Sequence, residues 1–446
     1  MVGGGGIKLH VRRFPDAILE FFAITPMKLA LKFLPASLSP FAPRPRPLLE
    51  GLTGLAKPGE MVLVLGRPGS GCSTFLKTIS GRRGEYLNVK GAVHYSGVEA
   101  TEFLKLYRGE AVYNPEADMH YPTLTVGQTL RFALSTKTPG KRLPNQSKGD
   151  FMEDVGNLLL RMLNISHTKN TLVGDEYVRG VSGGERKRVS IAEMMATGTC
   201  DCFHHIVLNS RAYSDTSLPH APGVVSYDGS TRGLDASTAL DYAKSLRIMT
   251  DIFEMTTFVS IYQAGEGIYD QFDKVLVIDQ GRQVYFGPAK EARKYFMDMG
   301  YADFPRQTTA DYLSGCTDPN ERRYASDELN STNVPSTAEA MADYYYKSDV
   351  ARRMREEMEV YKGRLTQHNP VVEFREAVLE AKGFGSSQTS PYQVGFFAQV
   401  LAIAGRQIRL KCVLSSLGDV PSQPSLRFLS RLILRTCRVL IDGIGV

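Results

Sequence analysis

The segment of residues 66–74, GRPGSGCST, has the residue types and the spacing of a phosphate-binding loop. In the pattern GxxxxGK[ST], backbone N–H groups at a helix N-terminus converge on the phosphates, a lysine reaches the β and γ oxygens, and a hydroxyl ligates Mg²⁺. Gly66, Gly71 and Ser73 fit this pattern, whereas Cys72 stands where the lysine belongs. The segment predicts either a phosphate-binding loop that lacks its cation or a tight structural turn.

The sequence on either side of this segment favours phosphate binding. The apolar run MVLVL precedes the segment at 61–65, and TFLKTIS at 74–80 has helical spacing. The order buried strand, glycine-rich loop, helix is that of a nucleotide-binding α/β unit. Further strand-like runs at 224–227, 257–261 and 274–278 predict a sheet with covered faces.

A second segment, VSGGERKRVSIAE at 181–193, has the composition of a helix start that meets a phosphate. Ser182, Gly183 and Gly184 suit a helix N-terminus that binds a γ-phosphate through hydroxyl and backbone N–H groups. Ser182 followed three residues later by Glu185 is also the pattern of a capping box, and the two interpretations are compatible. The segment resembles the signature sequence of ABC-transporter ATPases.

Two later stretches extend this resemblance. Four mainly apolar residues end at Asp228, as in a Walker B strand, and the RGLDAS that follows resembles the D-loop of the same ATPases. Residues 260–296 resemble their switch segment and closing hairpin. Within this family, the chain is similar to the first nucleotide-binding domain of fungal pleiotropic-drug-resistance transporters, of ABC subfamily G. The similarity rests on Cys72, the sequence STRGLDAS at 230–237 and the segment at 306–322.

The resemblance implies an α/β fold, with a RecA-like P-loop ABC ATPase core, an antiparallel β subdomain and a helical signature subdomain. It implies ATP and Mg²⁺ as cofactors, with Mg²⁺ held by Ser73 and Asp228. The nucleotide-binding residues that it implies are Gly66, Arg67, Pro68, Gly69, Ser70, Gly71, Cys72, Ser73, Thr74, Glu116, Asp228 and Tyr262.

The chain departs from the family at the residues that carry out hydrolysis. The family has a lysine in the phosphate loop, a water-sensing glutamine shortly before the stretch that is LTVGQTL at 124–130 here, a glutamate after the Walker B aspartate and a switch histidine. The corresponding residues here are Cys72, Glu116, Gly229 and Tyr262. Phosphoryl transfer depends on positioning and on neutralising the charge of the γ-phosphate, so we expect ATP binding with little or no turnover at this loop.

The signature is intact, and the resemblance gives it a separate role. ABC ATPases work as head-to-tail pairs, in which each ATP lies between the phosphate loop of one domain and the signature of the other. The catalytic residues implied here, which would act on a partner's ATP, are Ser182, Gly183, Gly184 and Glu185. The implied partners are a second nucleotide-binding domain and membrane-spanning domains, through which the chain would contact the membrane.

Composition limits the other classes of function. A formal charge of +6 over 446 residues is too weak to indicate nucleic-acid binding. Six scattered cysteines indicate a reducing compartment, and neither a signal peptide nor a spanning helix is expected. The chain is expected on the cytoplasmic face of the membrane within a full transporter, and soluble and cytoplasmic by itself. A non-catalytic ATP-binding regulatory module and a non-functional truncated fragment are the alternatives.

Four regions are predicted along the chain. They are a helical lead-in with a Pro-rich connector (1–46), the nucleotide-binding domain (47–300, with an insertion at about 200–223), a linker subdomain (301–385) with a helix at 344–362, and a connecting helix with a basic tail (386–446). The insertion contains Cys200, Cys202, His204 and His205, which are zinc-ligand types without the usual spacing. A looped-out segment or intron sequence is the simpler interpretation.

Overall fold

The computed structural model describes residues 2–4, 46–138, 146–209, 223–304, 306–326, 334–368, 370–382, 386–387, 390 and 392–417. Most of the predicted lead-in and the whole basic tail lie outside these ranges. The side chains of Cys200, Cys202, His204 and His205 are also outside the described part of the chain.

The strands of the described residues form three sheets. They are β1 (Val2–Gly4), β2 (Arg46–Leu49), β3 (Met61–Leu65), β4 (Tyr86–Val89), β5 (His94–Tyr95), β6 (Val98–Glu99), β7 (Ala111–Asn114), β8 (Val224–Tyr227), β9 (Thr256–Ser260), β10 (Lys274–Asp279) and β11 (Arg282–Pro288). β1 pairs antiparallel with β2 and β4, and β5 with β6, which forms the antiparallel β subdomain.

The six-stranded central sheet has the order β11-β10-β3-β9-β8-β7. β11 is antiparallel to β10, and the other neighbouring strands are parallel. Every residue of β3, β8 and β10 is buried, as expected where a parallel sheet is covered on both faces. The four strands predicted from apolar runs are confirmed to within one residue at each end.

The α-helices follow the strands in alternation and then dominate the C-terminal part. They are α1 (Cys72–Ile79), α2 (Ala100–Leu106), α3 (Val126–Lys137), α4 (Lys148–Met162), α5 (Gly183–Asn209), α6 (Ala236–Phe253), α7 (Glu266–Tyr269), α8 (Ala289–Met299), α9 (Thr309–Thr317), α10 (Ala338–Lys347), α11 (Asp349–His368), α12 (Pro370–Ala381) and α13 (Phe396–Leu417).

α3, α4 and α5 pack on one another and form the helical subdomain. Each begins with a capping box, in which a Ser or Thr side chain accepts from the backbone N–H three residues on and the side chain at that position accepts from the cap N–H. These reciprocal bonds satisfy N–H groups that a helix start leaves open. α5 continues as far as Asn209, within the predicted insertion.

The predicted helix at 344–362 is wrong as a single element. The structure has two helices there, because α10 ends at Lys347 and α11 begins at Asp349. Ser348 lies between them, and its hydroxyl accepts a hydrogen bond from the Ala351 N–H at 3.3 Å. A serine that caps a new helix therefore interrupts a stretch whose apolar spacing is continuous.

The connecting helix predicted at 390–411 corresponds to α13, which begins and ends six residues later, at Phe396 and Leu417. It packs on α3, and its Arg406 guanidinium lies 4.0 Å from the ring centroid of Phe132 and 4.9 Å from that of Tyr121. None of the helices in the described ranges combines the length and apolarity needed to cross a bilayer.

Candidate functional site

The loop of residues 66–74 connects β3 to α1 and is shaped by its glycines. Gly69 and Gly71 have φ values of 85° and 111°, which L side chains rarely adopt, and a Cβ at Gly66 would lie 2.3 Å from Ser70 Oγ. The Ser70 N–H donates to the Arg67 carbonyl at 2.9 Å, and the Ser70 carbonyl accepts from the Gly281 N–H at 2.8 Å. The loop thus presents the first-turn N–H groups of α1, which suit a phosphate.

Cys72 leaves this loop without a cation at the position of the family lysine. Its Sγ lies 3.4 Å from Ser70 Oγ, and burial raises the pKa of the thiol to about 11 despite that hydrogen bond. The loop's arginine does not replace the lysine, because Arg67 Nε pairs with Asp318 Oδ2 at 3.2 Å, just beyond α9. A phosphate bound at this loop would therefore depend on backbone N–H groups.

Asp228 follows β8 and is buried beside the loop, with an exposed fraction of 5%. Its Oδ2 accepts from the Tyr113 hydroxyl at 2.8 Å, and its Oδ1 accepts from Ser260 Oγ at 2.7 Å. Burial, and then the bond to Asp228, raise the pKa of Tyr113, so the phenol remains a donor. The Asp228 carboxylate and the Ser73 hydroxyl are hard oxygen ligands, and this donor set fits Mg²⁺.

Gly229 comes next in the chain, where the family has its catalytic glutamate. Its φ of 55° lies in the left-handed region, and its N–H donates to Ser260 Oγ at 2.8 Å. A Cβ at this position would meet Glu116 Cγ at 2.9 Å and Tyr262 Cε2 at 3.2 Å. Any side chain at 229 would therefore be strained in its backbone and would press on its neighbours.

Glu116 lies in the segment of residues 115–120 that follows β7, which we call the Glu116 segment. Its Oε2 accepts from the Tyr262 hydroxyl at 3.0 Å, and its Oε1 forms an ion pair with Arg232 of the D-loop. Burial alone would raise the pKa of Glu116, but the bonds from Arg232 and Tyr262 outweigh it and lower the pKa. Burial and the adjacent carboxylate raise the pKa of Tyr262.

The signature turn begins α5. The Ser182 N–H donates to Glu185 Oε2 at 2.8 Å, the Glu185 N–H donates to Ser182 Oγ at 3.3 Å, and His167 Nε2 lies 2.8 Å from Glu185 Oε1. The bond from the Ser182 N–H, followed by that from His167, lowers the pKa of Glu185. Ser182 and Gly183 are exposed, and a Cβ at Gly183 would meet nothing within 4 Å. The turn is formed and open.

The predicted site residues fall into two groups. The 66–74 loop, Glu116, Asp228 and Tyr262 follow the carboxyl ends of β3, β7, β8 and β9, which are neighbours in one sheet and meet at one edge. The signature turn forms the second group, at the start of α5, where a Cβ at Gly184 would lie 3.9 Å from Leu234 Cδ2 and 4.0 Å from the Gly233 carbonyl oxygen. The signature thus lies beside the D-loop.

Sequence reasoning missed four residues of this arrangement. Tyr113 and Ser260 hold Asp228, Arg232 holds Glu116, and Lys187 of α5 donates to the Glu116 backbone carbonyl at 2.9 Å. Tyr113 and Ser260 stand at or beside the carboxyl ends of strands, which is a signal that the sequence offered. Nothing in the sequence near Arg232 or Lys187 indicates a contact with Glu116.

This arrangement defines a nucleotide-binding domain of the P-loop class, with a glycine-rich loop after a central parallel strand, a buried aspartate beside it and a separate signature helix. The family described as ABC transporter matches residues 49–200, so the chain contains an ABC transporter domain.

Full-length relatives extend this similarity. ABC multidrug transporter I of Aspergillus fumigatus is 49% identical over 410 residues, which are 92% of this chain and 26% of the relative. ABC transporter G family member 15 of Dictyostelium discoideum is 43% identical over 363 residues, 81% of this chain and 23% of the relative. The chain thus spans about a quarter of the length of these relatives.

A solved structure titled "Structure of ATP binding subunit of ABC transporter" also matches. The alignment has a TM-score of 0.43 at 19% identity and covers 61% of this chain and 94% of that chain.

Proposed function

We propose that this chain is the ATP-binding domain of an ABC efflux transporter and that its two functional elements have different tasks. Its own loop, residues 66–74, holds Mg-ATP with little or no hydrolysis. Its signature, Ser182–Glu185, completes the active site on the phosphate loop of a second nucleotide-binding domain. Export of small molecules is supported by relatives that are named multidrug transporters.

The observation that carries this proposal is the arrangement around Gly229. Hydrolysis needs a polarised water and neutralised phosphate charge, and removal of one such element typically costs orders of magnitude in rate. Position 229 has no carboxylate and no room for one. Glu116, whose side chain lies against Gly229, is paired with Arg232 and Tyr262, which lowers its pKa and makes it a poor base.

Nucleotide binding at the 66–74 loop is supported by two features that the family site also has. The loop has its glycine geometry, and Asp228 and Ser73 offer oxygen ligands for Mg²⁺. Mg²⁺ would supply the positive charge that Cys72 does not. ATP that is bound here and not hydrolysed would hold the two domains together. The exposed signature would take part in hydrolysis of the ATP on the partner domain.

Membrane-spanning partner domains are supported by the outer surface of α13. Its exposed apolar side chains are Phe396, Phe397, Val400 and Ile403, with exposed fractions of 72%, 79%, 44% and 47%. The same helix is fixed to the helical subdomain through Arg406, whose guanidinium lies over the Phe132 ring of α3. An apolar surface of this kind suits contact with further domains or a membrane boundary.

Calorimetry and phosphate release on the purified chain test the proposal together. We expect saturable ATP binding that needs Mg²⁺ and weakens in Asp228→Ala, with turnover far below about 1 s⁻¹, a typical enzyme rate. The matched control is Asp251→Ala, since Asp251 pairs with Arg247 on the outer surface of α6. Turnover at about 1 s⁻¹ or faster, or no ATP binding, would contradict the proposal.

A further inference from the structure

The signature helix holds the Glu116 segment (residues 115–120) through a buried cation. Lys187 is 3% exposed, and its Nζ donates to the Glu116 carbonyl at 2.9 Å and lies 3.4 Å from Asp118 Oδ1. A buried ammonium is stable only while such partners surround it. Lys187 therefore links α5 to the Glu116 segment, so that a shift of one displaces the other.

Two more residues of α5 extend the contact. Ser190 Oγ donates to Asp118 Oδ1 at 2.5 Å and lies 2.7 Å from His120 Nε2, and Glu193 Oε2 lies 3.4 Å from His120 Nδ1. Lys187, Ser190 and Glu193 recur every three residues, which places them along one side of the helix. The contact thus covers two turns of α5 rather than a single point.

The other side of the Glu116 segment touches the nucleotide site. The Glu116 carboxylate holds Tyr262 and Arg232 and lies against Gly229, the neighbour of Asp228. The segment therefore lies between this chain's own Mg²⁺ ligand and the signature helix. From Lys187 the helix leads back to Ser182 over about 7.5 Å, at 1.5 Å per residue.

We propose that Lys187 is a positioning residue that transmits the occupancy of this chain's own phosphate loop to its signature turn. The inference rests on the proposed function and adds a regulatory link between its two elements. Mg-ATP beside Asp228 changes the charge that Glu116 and Arg232 experience, which shifts the Glu116 segment. The segment carries Lys187 with it, because separation would leave a buried charge unpaired.

Hydrogen exchange on the full chain, with and without Mg-ATP, tests this link. We expect Mg-ATP to slow exchange about fivefold or more both at residues 66–74 and at 182–189. In Lys187→Met, the slowing should persist at 66–74, with unchanged ATP affinity, and disappear at 182–189. Lys274→Met is the matched control, since Lys274 is also buried, with an exposed fraction of 6%, and its Nζ donates to the Leu55 carbonyl at 2.9 Å beside Glu60.

Fluorescence gives a second readout, since the chain has no tryptophan. Tyr177→Trp places one fluorophore just upstream of the signature, at a side chain that is 92% exposed. Its ATP-induced emission change should vanish with Lys187→Met and persist with Lys274→Met. If Lys187→Met fails to fold, Asp118→Asn removes the carboxylate charge beside the ammonium and must produce the same selective loss.

The outcomes separate this inference from the proposed function. If Mg-ATP still slows hydrogen exchange at both 66–74 and 182–189 in Lys187→Met or Asp118→Asn, the inference is wrong but the proposed function stands. The same holds if Mg-ATP slows exchange in the wild-type protein only at 66–74. Loss of the response in Lys274→Met as well would show a nonspecific packing effect and would also overturn it. Wild-type protein with no response at 66–74 would contradict ATP binding itself.

Discussion

The Tyr262 hydroxyl donates a 3.0 Å hydrogen bond to Glu116 Oε2 and so joins the loop after β9 to the segment after β7. By the family resemblance, Glu116 stands where a water-sensing glutamine is expected and Tyr262 where a switch histidine is expected; here the two side chains contact each other. Arg232 of the D-loop completes the group through its ion pair with Glu116. The loop after β9, the Glu116 segment and the D-loop are thereby tied together.

The energetic value of this bond is testable with a double-mutant cycle. Tyr262→Phe removes the donor and should lower the free energy of unfolding by about 0.5–1 kcal/mol, at the low end for a hydrogen bond because Tyr262 is 57% exposed. In a Glu116→Ala background, which removes the acceptor, the loss caused by Tyr262→Phe should shrink toward zero. Urea denaturation measures both, with Tyr177→Phe as the control at a fully solvated phenol. Equal losses in the two backgrounds would contradict the pairing.

Gly229→Ala should destabilise the chain for two reasons, the positive φ and the crowding by Glu116 and Tyr262. We expect a loss of about 2 kcal/mol in the free energy of unfolding. Gly233→Ala is the matched control, because Gly233 has a φ of 79° but nothing within 4 Å of its Cβ position. Gly233→Ala should lower the free energy of unfolding by about 1 kcal/mol, which is the effect of the positive φ without crowding. A loss no greater at 229 than at 233 would remove the crowding argument.

The same geometry bears on attempts to restore hydrolysis. Gly229→Glu supplies the missing carboxylate but forces it against Glu116, so we expect turnover to remain far below about 1 s⁻¹ even when Cys72→Lys is added. Phosphate release from the purified double variant checks this. Recovery of ordinary turnover would mean that the loops around 229 adapt at little cost.

Much of the site could be predicted from the sequence because its signals are local. The strand and glycine loop at 61–74 and the capping box of Ser182 with Glu185 are set by neighbouring residues, and the structure confirms both. The sequence did not predict the break at Ser348 because apolar spacing continues across it, whereas the cap that starts the second helix depends on one serine hydroxyl.

The contacts of Glu116 could not be predicted, because they depend on the strand order of the sheet. Lys187 and Arg232 lie 71 and 116 residues away from it along the chain. Only the placement of β7 beside β8 and β9, with α5 packed on β7, brings these side chains together. The positive φ of Gly229 belongs to the same tertiary arrangement.

The Glu185 carboxylate should make the signature turn sensitive to acid. Its folded pKa is lowered below the ordinary 4.5, so its stabilising contribution is present above that value and is lost as pH falls through the folded pKa. Thermal unfolding of wild-type and Glu185→Gln between pH 7 and pH 3 measures this. The difference in unfolding temperature between wild type and Glu185→Gln should decrease as the pH approaches 3. A difference that stays constant between pH 7 and pH 3 would contradict the assignment.

The Cys72 thiol should resist alkylation. Because burial raises its pKa from 9.0 to about 11, the thiolate fraction at pH 8 falls by about 100-fold relative to the unfolded chain. Peptide mapping after iodoacetamide treatment, with the urea-unfolded chain as reference, quantifies the modification at this position. Equal rates in the folded and unfolded chains would show that the thiol is accessible and ionised.

Steady-state ATP turnover of a full transporter with a catalytically complete second half tests the division of tasks most directly. Ser182→Ala should abolish most turnover, whereas Cys72→Ala should retain most of it because no lysine is lost. Ser147→Ala is the matched control, since Ser147 forms the same capping box at the start of α4 and should cost only about 1 kcal/mol of stability. If Cys72→Ala stops turnover while Ser182→Ala leaves it unchanged, the 66–74 loop is the hydrolytic site and the account is wrong.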